Sequence, residues 1–76
     1  MNKQRRKTLK EIRDRLQACY EDLDMVFEEE QEAYDNLPDS LQESERGEEM
    51  SGNVDFLEEL RDSISDICDE IDELIE

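Results

Sequence analysis

The stretch TLKEIRDRLQACYEDLDMVFEEEQEAYDNLP, Thr8–Pro38, decides the fold. Its apolar residues step by three and four: Leu9, Ile12, Leu16, Cys19, Leu23, Val26, then Ala33 and Leu37, with Glu30 the one polar member. That spacing keeps one face of an α-helix apolar, and no glycine or proline interrupts it. Pro38 disfavours helical geometry at Leu37, so the helix is expected to cover about residues 5–36.

Working outward, the C-terminal half repeats the pattern. Met50, Asn53, Leu57, Leu60, Ile64, Ile67, Ile71 and Leu74 alternate in the same way, with Asn53 the polar exception. A second helix over about 45–75 and a connection over about 37–44 follow. Ser40 to Glu43 fits a capping box, and Ser44 is a second candidate cap. Gly47 and Gly52 weaken the first turns of this helix by about 1 kcal/mol each relative to alanine. The expected fold is all-α: one domain over 1–76, an antiparallel two-helix hairpin of coiled-coil type, open to dimerisation into a four-helix bundle.

Opposed helices match residues whose numbers have a constant sum. A sum of 83 pairs Leu9 with Leu74, Ile12 with Ile71, Leu16 with Ile67, Cys19 with Ile64, Leu23 with Leu60 and Val26 with Leu57. It also sets Glu30 opposite Asn53, so the two polar core positions share one layer, which a buried polar group favours. In this register Cys19 and Cys68 do not meet, no disulfide is expected, and both act as small apolar fillers.

The apolar stripe exceeds what a two-stranded seam uses. Tyr20, Phe27 and Tyr34 lie seven residues apart beside the first seam; Val54, Cys68 and Ile75 hold the equivalent places on the second, and Phe56 lies on its other flank. A stripe about three-sevenths of each helix in width suits a bundle helix. Tyr20, Phe27, Tyr34, Val54 and Phe56 are therefore the expected interface, with a second copy as the first candidate partner, because two helices alone make a thin core. Rings folded over the edge of the seam are the plainer alternative.

The chain holds 25 acidic residues against 9 basic ones and no histidine, a formal net charge of −16. The charge is segregated. Lys3, Arg5, Arg6, Lys7, Lys10, Arg13 and Arg15 stand against Glu11 and Asp14 in the first fifteen residues, whereas the remainder has Arg46 and Arg61 against 23 acids. A hairpin lays the basic start of the first helix beside the acidic end of the second. Direct nucleic-acid binding by the basic arm is disfavoured by the acidic mass behind it. The acidic surface, Glu21, Asp24, Glu28, Glu29, Glu32, Asp35, Glu58, Glu59 and Asp62, offers another possibility. About one charge per 2 Å of rod approaches the ~1.7 Å axial spacing of charge in duplex DNA, so the protein could act as a DNA mimic in the groove of a nucleic-acid-binding target. A merely well-solvated helical surface is the alternative.

Catalysis has little to draw on. Histidine is absent, the serines have no base to activate them, and the carboxylates fall on solvated helix faces. No cysteine spacing suits zinc and no stretch fits a calcium loop. No enzyme activity, cofactor or metal is expected; a cytoplasmic protein with reduced thiols and no membrane partner is.

Residues 28–50 carry a recurring pattern: an acidic helix end, then Asp35-Asn36-Leu37-Pro38, Leu41-Gln42 and Ser44-Glu45-Arg46, followed by an acidic–apolar helix. In this it resembles short acidic helical-hairpin proteins of bacteria and bacteriophages that have no assigned activity. The resemblance implies a prokaryotic or phage origin and, by analogy with small acidic phage inhibitors, raises the mimic reading. Gly52 departs from the better helix formers expected there. The connection itself is read as a cap on the bundle end, with a contact role the alternative.

Overall fold

The computed structural model describes residues 1–76 and contains three helices and no strands: α1, Lys3–Asp35; α2, Asp39–Gln42; and α3, Glu45–Ile75. The long helices α1 and α3 pack against each other as a rod of 58 × 14 × 13 Å. Cross-helix partners are Arg13 with Asp72 and Asp24 with Arg61, so one helix descends as the other rises.

Local chemistry sets the ends. The Asn2 side chain accepts from the Arg5 backbone N–H at 2.8 Å and starts α1. Past Asp35 the chain turns into Pro38, which opens the single turn of α2, an element that the periodicity of the long helices does not announce. Ser44 begins α3: its hydroxyl donates to the Leu41 carbonyl and accepts from the Gly47 N–H at 3.3 Å. The capping box at Ser40 is not formed. Gln42 reaches back to donate to the Tyr34 carbonyl at 3.1 Å, tying the connection to the last turn of α1. Gly47 is buried, and a Cβ there would collide with the Leu41 and Gln42 backbone carbonyls. The Asp35–Arg46 motif thus has a structural account at Pro38, Gln42 and Ser44. Leu37 is half-buried, whereas Leu41 stays 49% exposed.

The seam differs from the one expected. Leu16, Leu23, Leu57, Ile64 and Ile71 are half-buried between the helices, but of their expected companions only Ile12 is. Cys19, Ala33 and Asn53 are exposed, and Val26, Leu60, Ile67 and Leu74 are 46%, 41%, 44% and 58% exposed. In their place the seam takes Tyr20, Phe27 and Tyr34 from α1, and Val54, Arg61, Cys68 and Ile75 from α3. Arg61 lies over the Phe27 ring and within electrostatic reach of Tyr20, which puts it level with Leu23, where the sum of 83 sets Leu60. The layer of Glu30 against Asn53 does not form, because Asn53 faces water. Cys68 is 2% exposed with its thiol on the Arg13 carbonyl at 3.8 Å, while Cys19 is exposed; both thiols are free.

Size explains the rotation. Each helix carries three apolar columns and the seam admits two. Burying two tyrosines and a phenylalanine removes more apolar surface from water than burying Cys19, Val26 and Ala33. On α3 the same rotation releases Asn53 to water and brings Arg61 to Asp24, at the cost of leaving Leu60, Ile67 and Leu74 uncovered.

Candidate interaction surface

The rotated seam gives the rod two unlike edges. One follows the seam at seven-residue spacing: Gln17, Asp24 and Gln31 on α1, and Ser51, Glu58, Ser65 and Asp72 on α3. All but Glu58 are half-buried. Arg13 meets Asp72 through Nε at 3.0 and 3.3 Å and through a terminal nitrogen at 3.2 Å, the fork geometry in which arginine holds a carboxylate best. Arg61 donates to Asp24 at 2.8 Å and to Asp62 at 3.1 Å, with its guanidinium 4.7 Å from the centre of the Phe27 ring. A cation held over a ring while paired to a carboxylate can stand in a seam that would reject a bare charge.

The hydrogen bond to Asp72 raises the Arg13 pKa, and the bond to Asp24 raises that of Arg61; partial burial opposes both. A raised folded-state value means that the stability linked to each arginine's own titration is present below arginine's ordinary pKa and is lost as pH climbs through the raised one, in strong alkali.

The other edge precedes the seam. Ile12, Cys19, Val26 and Ala33 on α1 and Asn53, Leu60, Ile67 and Leu74 on α3 recur every seven residues, and in helices that run oppositely these columns fall side by side. Ile12 is half-buried and the other seven are exposed. From Ile12 to Ala33 the strip runs 21 rises, roughly 30 Å. Phe56, 61% exposed, stands four residues before Leu60 and widens it.

Against the expected interface this is largely a substitution. Val54 is 7% exposed, and Tyr20, Phe27 and Tyr34 are half-buried, so four of the five residues hold α1 and α3 together and only Phe56 keeps a free face. Of the expected acidic surface, Glu21, Glu28, Glu29, Glu32, Asp35, Glu58, Glu59 and Asp62 are exposed, Asp62 beside Arg61, while Asp24 is half-buried in its ion pair. The three-four alternation of the seam proposed from sequence picked out Val26, Leu60, Ile67 and Leu74, but assigned them to the inside.

At the open end, Arg13 is the one basic side chain of the arm in an ion pair; Lys3, Arg5, Arg6, Lys7, Lys10 and Arg15 are exposed and have no carboxylate within 4.0 Å. The surface has no pocket, and no three cysteine, aspartate or glutamate side chains converge on a point that would hold a metal ion. Neither long helix is apolar enough along its length to cross a membrane. No family model, curated protein or solved structure matches this chain.

Proposed function

We propose that this protein is a non-catalytic protein-binding module, a helical hairpin that associates with a second copy of itself through the open apolar edge. The observation that carries the reading is the exposure of Val26, Leu60, Ile67 and Leu74 as neighbours on one edge. Scattered exposed leucines need no explanation, whereas a contiguous strip about 30 Å long marks a contact site. Surface area supports it. A compact chain of 9.1 kDa exposes about 4,900 Å², and this one exposes 5825 Å². The excess, roughly 900 Å², is close to the ~800 Å² that each partner contributes to a standard interface. Only three residues are buried in the single chain, so association also supplies the core that two helices lack. Sedimentation velocity at micromolar concentration tests it: twice the chain mass is expected, and the mass of one chain refutes self-association.

A second reading rests on charge. The exposed carboxylates of α1 and α3 line a narrow rod and could occupy a groove built for nucleic acid. Such binding would weaken steeply as salt rises, as phosphate mimicry requires, whereas apolar docking would hardly change.

A further inference from the structure

We infer that the second copy docks end-for-end, so that the basic arm of each chain lies over the acidic loop half of the other. This rests on the self-association proposed above and adds its geometry.

The strip of Val26, Leu60, Ile67 and Leu74 runs along one edge of a long rod, and a twofold axis can relate two such strips in two ways. With the axis along the rod, like ends meet and α1 packs on the partner's α3. With the axis across the rod, unlike ends meet and each helix packs on its own copy. Both bury the same apolar residues, so hydrophobicity does not choose between them.

Charge does. The open half, residues 1–19 and 65–76, has seven bases against eight acids, a net of −1. The loop half, residues 20–64, has two bases against seventeen acids, a net of −15. Like-ended docking sets −15 against −15; end-for-end docking sets −15 against −1 at both ends. Helix by helix the preference persists. Residues 1–19, at +5, come to lie over residues 20–35 of the other copy, which hold eight acids and no base.

The arm is also free for the task. Had the acidic C-terminus of α3 neutralised it within one chain, its cations would appear in ion pairs. Only Arg13 does. Arg5 lies seven residues before Ile12, in line with the apolar column of α1, so a cation continues the strip at the end that would meet the other copy's acids. Repulsion between like-charged patches is costly enough to select a partner orientation.

Two spin labels decide it. Ser40→Cys, in a Cys19→Ala background that leaves only the buried Cys68, places one label at the loop tip of each chain. Mass is measured first on the labelled protein. Twice the chain mass with a label separation of about 50 Å, nearly the length of a thirty-residue helix at ~1.5 Å per residue, is the expected result. Twice the chain mass with labels within about 25 Å overturns the end-for-end geometry while leaving self-association intact. The mass of a single chain overturns both. Reversing the arm with Arg5→Glu and Arg15→Glu should weaken an end-for-end dimer at least about tenfold at low salt; unchanged affinity would remove the charge argument.

Discussion

The two edges of the rod invert the usual relation between polarity and burial. The edge of Gln17, Asp24, Gln31, Ser51, Ser65 and Asp72 is closed, whereas the edge of Val26, Leu60, Ile67 and Leu74 is open. On the closed side two arginines reach across the groove to carboxylates, and directional bonds hold the helices together there. On the open side nothing directional acts, and the columns face solvent. The folding of one chain has taken its most specific contacts on the polar side and left non-directional apolar area uncovered on the other.

The strongest way to break that comparison is to make the open edge polar too. Leu60→Glu together with Ile67→Glu should raise the dimer dissociation constant by at least about 100-fold, because two unpaired charges would be desolvated at the centre of the contact. Sedimentation should return the mass of one chain while circular dichroism stays helical; loss of helix would instead mean that the open edge holds the single chain together.

The junction of α2 with α3, between the two edges, comes next. Gly47→Ala sets a methyl group against the Leu41 and Gln42 carbonyls, which are backbone and move little. A loss of about 2–3 kcal/mol in urea unfolding is expected, near the upper end for overpacking. Little change would show that α2 can shift away from α3.

The closed edge should respond more mildly. Arg61→Ala leaves Asp24 without its cation and uncovers the Phe27 ring, so the melting temperature falls by a few degrees. The assembly should keep its mass, since Arg61 belongs to the fold of the single chain; a dimer lost along with Arg61 would unite the two edges into one system.

The smallest effect belongs to a position on neither edge. Nothing lies within 4 Å of a Cβ built at Gly52. Gly52→Ala should therefore stabilise α3 by about 0.5–1 kcal/mol, through lower entropy in the unfolded chain, with no change in mass. The opposite signs expected for the two glycines of one helix also separate close approach from helix propensity.

Much of the fold was legible in order along the chain. Pro38 marks the end of the first helix and Ser44 caps the second, because both act through their own neighbours within a few residues. The candidate surface was legible as a set and illegible in its orientation. The sequence presents Cys19, Val26 and Ala33 and Tyr20, Phe27 and Tyr34 as adjacent columns, and heptad spacing serves either as the seam. The one-turn α2 escaped for a different reason: four residues are too few to show a period.

By itself, then, the sequence determined two long helices, their ends and the unequal charge of the two halves of the rod, since periodicity, caps and composition are local properties. Only the tertiary structure decided which two of three apolar columns each helix turns inward. That choice depends on groups remote in the chain: Arg61 meeting Asp24 over Phe27, and Arg13 meeting Asp72. The column left over is the one that became the open edge.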